Sequence, residues 1–243
     1  MKHEPEHVAH LLVKNNRNYT KGVGIDRVKI LLGNGIMVSE GDYWKRQRRM
    51  IQPAFHKRVI ETMTGHMRTL NAQLLQSWQT AATNSGSINL TQEMSEVTLQ
   101  VVLESLFSTD LAAMQGDQQP FALLTKESDR NLSFAMKFRA LKNLVSALKL
   151  EREQSGRIED DFLSMLMETT DKETGEQMTE KELLDEIMTL IVAGHETTAS
   201  VLNFTWYLIA KHPEVEERLL NEMAFLEGRV PGFEEIGRLP YTK

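Results

Sequence analysis

Residues 187–210, which read IMTLIVAGHETTASVLNFTWYLIA, constrain this chain more than any other stretch. Apolar residues fall on nearly every side of a helix drawn through them. That pattern belongs to a helix enclosed in a large domain or spanning a membrane. Thr179 and Glu182, three residues apart, form a capping box, so the helix is expected to start there and run without proline to about Lys211. A bilayer span takes about 20 mostly apolar residues, and an ionisable group at its centre costs about 3 kcal/mol or more. Here His195, Glu196, Thr197 and Thr198 sit mid-run, and the sequence offers no second such segment to partner it. The expectation is therefore a core helix carrying a buried acid, with no membrane segment.

A buried carboxylate calls for a partner or a proton. A structural ion pair or core polar cluster is one reading, and proton handling is the other. Ala193, Glu196, Thr197 and Ser200 share one face at i, i+3, i+4 and i+7. That face is small and polar where the others are large and apolar. Gly194 lowers helix propensity by about 1 kcal/mol where the helix should be strongest. The Thr197 hydroxyl can bond back to the Ala193 carbonyl and bend the helix. An acid beside an alcohol makes a short proton relay. The zinc pattern H-E-x-x-H is absent, because Ala199 stands where the second His would be.

Elsewhere the chain reads as all-α, with little or no β-sheet. Leu, Met, Glu, Lys and Gln recur, and only 6 residues are Pro. Helices are expected over 5–16, over a short stretch among Gly22, Gly24, Gly33 and Gly35, and over 42–51, capped by Asp42 and stopped by Pro53. Another runs over 57–82, ended by Asn84 to Gly86. A brief strand at 87–90 and a helix over 91–107 capped at Thr91 follow. One or two helices cover 118–153. A short one covers 160–169, a polar turn 171–177, and a last helix 213–226. The net charge of -6 excludes a general nucleic-acid binder. With Cys 0, the chain supplies no disulfide, thiolate metal ligand, cysteine nucleophile or Fe–S cluster. The start, Met1 to Glu6, is polar with no apolar run behind it, which fits a cytoplasmic protein rather than a secreted one.

The most basic stretch runs from Tyr43 to Arg49. Trp44 and Arg48 lie one turn apart with Ile51 on the same side, so Arg48 is expected on a half-buried face, where a guanidinium needs an anion or several acceptors. Lys45, Arg46 and Arg49 point elsewhere and read as solvated.

Ala193-Gly194-His195-Glu196-Thr197-Thr198 resembles the (A/G)-G-x-(D/E)-T-(T/S) signature of cytochromes P-450, the haem-thiolate monooxygenases. The flanks, Asp185-Glu186 before it and Ala210 to Glu214 after it, are similar too. Trp44 and Arg48, about 150 residues earlier, match the family's W-x-x-x-R, and Gln52 to His56 reads like the text that follows it. The resemblance implies a P-450 fold of the bacterial soluble type and haem b (iron protoporphyrin IX) as cofactor. Trp44 and Arg48 would hydrogen-bond a haem propionate. Ala193 and Gly194 would flank the oxygen site, Thr197 would steady dioxygen, and Glu196 would feed protons. It implies a small apolar substrate and a redox partner, whether ferredoxin, flavodoxin or reductase. Lys45, Arg46 and Arg49 would steer that partner, with association weakening as salt rises.

The likeness runs from about Pro5 to Lys243, as a single partial domain over residues 1–243 without the family's N-terminal sheet region, its E-x-x-R helix or its cysteine loop. No axial metal ligand is then present. The chain alone is expected to hold haem weakly at best, to turn over no substrate, and to expose a large apolar patch. The alternative is a non-catalytic helical fragment or interaction module.

Overall fold

The computed structural model describes residues 4–108 and 132–242. Among them the fold is helical. α1 (Pro5–Ala9) runs on into a π-helical turn, and α2 spans Gly24–Leu32. α3 (Gly41–Ile51) and α4 (Lys57–Thr83) follow, joined by a 3-10 turn holding Pro53. Then come α5 (Leu90–Phe107), α6 (Leu132–Ser155), α7 (Phe162–Glu168), α8 (Glu180–Lys211) and α9 (Pro213–Met223). No described helix is long and apolar enough to cross a membrane. The helices expected for 118–153 lie outside the described residues as far as residue 131.

The strand expected at 87–90 is absent. Four residues without a pairing partner gain nothing from extended backbone, and Leu90 instead opens α5. The cap of α5 is Asn89, whose side chain accepts the Gln92 amide at 3.3 Å, and Thr91 falls inside the helix. Asn caps at least as well as Thr and sits two residues earlier. Asp42 likewise does not cap α3. Glu40 holds that position, and Asp42 pairs with Lys45 from the first turn. The polar turn before α8 is closed by one antiparallel bridge between Thr170 and Gln177.

α8 organises the core. Its 32 residues make a rod about 48 Å long at 1.5 Å per residue. Thr179 and Glu182 form the expected capping box. Leu183, Ile187, Met188 and Ile191 are buried among Leu99, Leu103 and Phe107 of α5, Leu141 and Val145 of α6, and Leu163 and Leu166 of α7. Each such side chain stabilises the fold by about 1.5–3 kcal/mol through burial. Arg152 of α6 ties this layer together. It donates to Asp161 and Ser164 of α7 and to the Phe107 carbonyl, while Asp161 caps α7 through the Ser164 amide.

The 33–39 loop rests directly on α8. The Asn34 amide donates to Asp185 at 2.8 Å and the Ile36 amide to Glu186 at 2.9 Å. Glycine is required for this approach. A Cβ on Gly33 would lie 1.9 Å from Asp185 Oδ1, and one on Gly35 would lie 2.2 Å from Thr189 Oγ1. Gly33 also has φ 79 and ψ -150, a conformation open almost only to glycine. Gly33→Ala is expected to lower unfolding free energy by about 2 kcal/mol or more, from backbone strain and collision together. Urea titration followed by circular dichroism measures it.

Candidate functional site

The polar turn of α8 is built from one helical repeat. The Thr197 hydroxyl donates to the Ala193 carbonyl at 2.5 Å, the back-bond its position implied. His195 turns the other way and is buried, with its Nε2 2.9 Å from Ser95 Oγ on α5. Burial lowers the His195 pKa, while Glu196, 3.9 Å from its Nδ1, and Ser95 act against that shift. Gly194 meets α5 as well. A Cβ there would lie 2.9 Å from Val102 Cγ2, so the residue serves the helix–helix seam, a role not visible in the sequence. Ile191, His195, Ala199 and Leu202 continue that stripe. Trp206 extends it, edge-on to Trp78 of α4 with centroids 5.8 Å apart.

Glu196 is not a buried acid. Its side chain is 74% exposed, and Thr197, Thr198 and Ser200 are exposed beside it. This corrects the expectation drawn from all-round apolarity. The physical reason is one-sided cover. The second half of α8 is packed along the α5-facing stripe, whereas Val201, Phe204, Tyr207 and Leu208 stay open, Phe204 at 67% exposure. The open face is thus a small polar patch at Glu196 and Thr197 that continues into a broad apolar one.

α3 carries the second group. Arg48 stacks over Trp44 at 5.5 Å, which matches the one-turn spacing, but Arg48 is exposed rather than half-buried. Among the described residues no carboxylate pairs with it. Its basic neighbours differ. Arg46 pairs with Glu182 at 2.7 Å and reaches the Gln177 carbonyl. Arg49 grips the buried Asp171 through two hydrogen bonds of 3.1 Å and pairs with Glu173 at 2.9 Å. Lys45 pairs with Asp42 at 2.7 Å. Arg46 and Arg49 are therefore not solvated cations. They clamp the 170–182 segment onto α3, and the Arg49 guanidinium holds Asp171 below the usual carboxylate range. α3 meets α8 at Glu182, 14 residues and about 21 Å along the axis from Glu196. The two motif groups are joined through α8 and the loop clasp, and among the described residues Arg48 and Thr197 share no hydrogen bond.

The family model described as Cytochrome P450 matches residues 1–148 and 134–243. The chain belongs to the cytochrome P450 family. Among P450 relatives, the cyclooctat-9-en-7-ol 5-monooxygenase of Streptomyces melanosporofaciens is 33% identical, covering 98% of this chain and 55% of the relative. The pentalenene oxygenase of Streptomyces avermitilis is 28% identical over 98% of this chain and 56% of its own. The crystal structure of the cytochrome P450DA heme domain superposes with a TM-score of 0.81 at 25% identity, over 98% of this chain and 56% of that one. The chain thus spans about half the length of the curated P450 relatives it matches.

Haem b is the cofactor of this family, and the chain's residues fit parts of it. The unpaired Arg48 guanidinium on Trp44 suits a carboxylate, and the α8 face at Ala193 and Thr197 is small enough for a flat group to lie close. Axial ligation by thiolate finds no donor among the 243 residues, since Cys is 0. Two outcomes follow from the packing. Gly194→Ala should cost about 1–3 kcal/mol by overpacking Val102, read by urea denaturation. The open apolar face should drive concentration-dependent association, and the double change Phe204→Lys with Leu208→Lys should shift light-scattering mass toward the monomer.

Proposed function

We propose that this chain carries the distal and propionate-binding portions of a haem-dependent monooxygenase site, acting on a small apolar substrate. The observation that carries this reading is Arg48. It is stacked on Trp44 without an acid, while Lys45, Arg46 and Arg49 around it are each ion-paired. A guanidinium over an aromatic face with no acid of its own is suited to receive a carboxylate. Haem, when bound, supplies the redox iron at which dioxygen is activated. The chain's own residues bind, orient and move protons. Trp44 and Arg48 hold a propionate, and Ala193 keeps the open α8 surface low, while Gly194 faces Val102 of α5. Thr197 directs its hydroxyl proton to the Ala193 carbonyl, which leaves lone pairs on Oγ1 free to accept. Glu196, open to water beside it, would supply a carboxylate that carries protons from solvent to that face.

The relatives named for pentalenene and for cyclooctat-9-en-7-ol support an apolar substrate. Electrons would come from a ferredoxin, flavodoxin or reductase. Arg46 and Arg49 are held by buried or largely buried acids, whereas Lys45 and its partner Asp42 are exposed, which argues that Lys45 rather than those two meets such a donor at α3. The second reading, a non-catalytic helical module, is favoured by the open apolar face of α8 and by the lack of cysteine.

Titration of the chain with haem, followed by absorbance, tests the proposal. Arg48→Gln should weaken binding by about tenfold or more, the effect of losing a charge-assisted hydrogen bond, and Lys45→Gln should change it little. Equal affinity for the Arg48 variant and the native chain sinks the reading. The reduced CO complex of the chain should lack the absorption of thiolate-ligated haem.

A further inference from the structure

Glu186 is fully buried on the first turns of α8. Its Oε2 accepts the Ile36 amide, and its Oε1 is buried without a hydrogen-bond partner among the described residues. Unpartnered buried polar atoms gather around the same junction. Gln47 of α3 is fully buried with only the Tyr43 side chain, one turn earlier, to meet its amide, and Ser39 Oγ and Asn34 Oδ1 of the loop are unpaired. Tyr43, one turn before Gln47, lies in the field of Glu182, Asp185 and Glu186, so α3, the loop and α8 converge there. Buried polar groups normally find partners, and a set of orphans at one junction needs a reason.

The charges around Glu186 are unevenly matched. Asp185 is met by Lys181 at 2.9 Å and by Lys142 of α6 at 3.7 Å. Glu182 is met by Arg46 of α3 at 2.7 Å. No cation among the described residues pairs with Glu186. A proton on Oε1 turns an orphan acceptor into a donor at a junction where Asn34 Oδ1 and Ser39 Oγ lack one.

We propose that Glu186 is a proton-operated latch that holds the 33–39 loop, and through it α3, against α8. Protonated, the carboxyl stays in its dry site and seats the loop. Ionised, it leaves a buried charge without a cation, and the loop parts to let water in. Burial first, then Asp185 and Glu182, push the Glu186 pKa up to about 7 from an ordinary 4.5, against the pull of the Ile36 amide. Because the seated pKa is the higher one, the seated form is most favoured below the ordinary value. It loses ground as pH rises from there to about 7 and levels off above. Lys21 keeps the loop's own shape through this, donating to the Met37 and Ser39 carbonyls at 2.7 Å each. The latch does not depend on haem.

Amide hydrogen exchange on the chain tests it, with rates corrected for the intrinsic effect of pH. Protection of the Ile36 amide should fall by about tenfold or more between about pH 5 and pH 7.5, and should stay level in Glu186→Gln. A carbon-13 titration of the Glu186 carboxyl in the native chain should give a midpoint near 7. Level protection in the native chain overturns the proposal, and so does the same decline in the Glu186→Gln variant. A carboxyl midpoint in the ordinary glutamate range overturns it too. If the variant does not fold, the native titration alone decides.

Discussion

Two adjacent carboxylates on one turn of α8 set the geometry of everything N-terminal to it. Asp185 and Glu186 each take a backbone amide from a loop that contains glycine at both close-approach positions. The peptide N–H that Asn34 donates to the lysine-paired Asp185 is among the stronger hydrogen bonds available to a loop, and glycine removes the side chains that would hold it off. Since the loop leads straight into α3, the clasp sets where Trp44 and Arg48 stand relative to the polar turn further along the same helix. The ion pair of Arg46 with Glu182 repeats the connection one turn earlier. A single rod thereby indexes both motif groups, and neither group has to touch the other.

That rod is covered unequally. Over its first half, α5, α6 and α7 enclose it, and Ile187 and Met188 reach full burial. Beyond His195 the side facing α5 and Trp78 of α4 is packed, and the opposite side presents Glu196 and Thr197 and then Val201, Phe204 and Leu208. The polar turn therefore lies at the boundary between enclosed and open helix. This placement is consistent with a helix that packs on one side and receives a flat hydrophobic group on the other. It also accounts for a GHETT segment in which His195 is a packing residue and its two C-terminal neighbours are surface residues.

Local signals were legible where local physics decides. The capping box at Thr179, the end at Lys211, the one-turn spacing of Trp44 and Arg48, and the back-bond of Thr197 are all short-range matters. Burial of Glu196 was not legible, because apolar periodicity states which residues favour cover and not whether cover is present. The partners of Arg46 and Arg49 stand 136 and 122 positions away, beyond any local pattern. Asp185 and Glu186 read only as flanking text, although a signal existed. Glu186 lies in the stripe of Leu183 and Leu190, and Gly33 and Gly35 announce a place where backbone meets another element. Asn89 displaced Thr91 as a cap because two good capping residues stood close together and the earlier one gained the helix start.

Gly194 carries a wider consequence. Its missing side chain is where Val102 of the neighbouring helix fits, so the glycine in the signature is held in place by packing whatever chemistry takes place nearby. A descendant that had abandoned oxygen chemistry would still be selected to keep that glycine, while its surface acid and alcohol drifted. For chains of this kind, retention of the second signature letter reports that the fold persists. Retention of the fourth and fifth is the better witness to turnover.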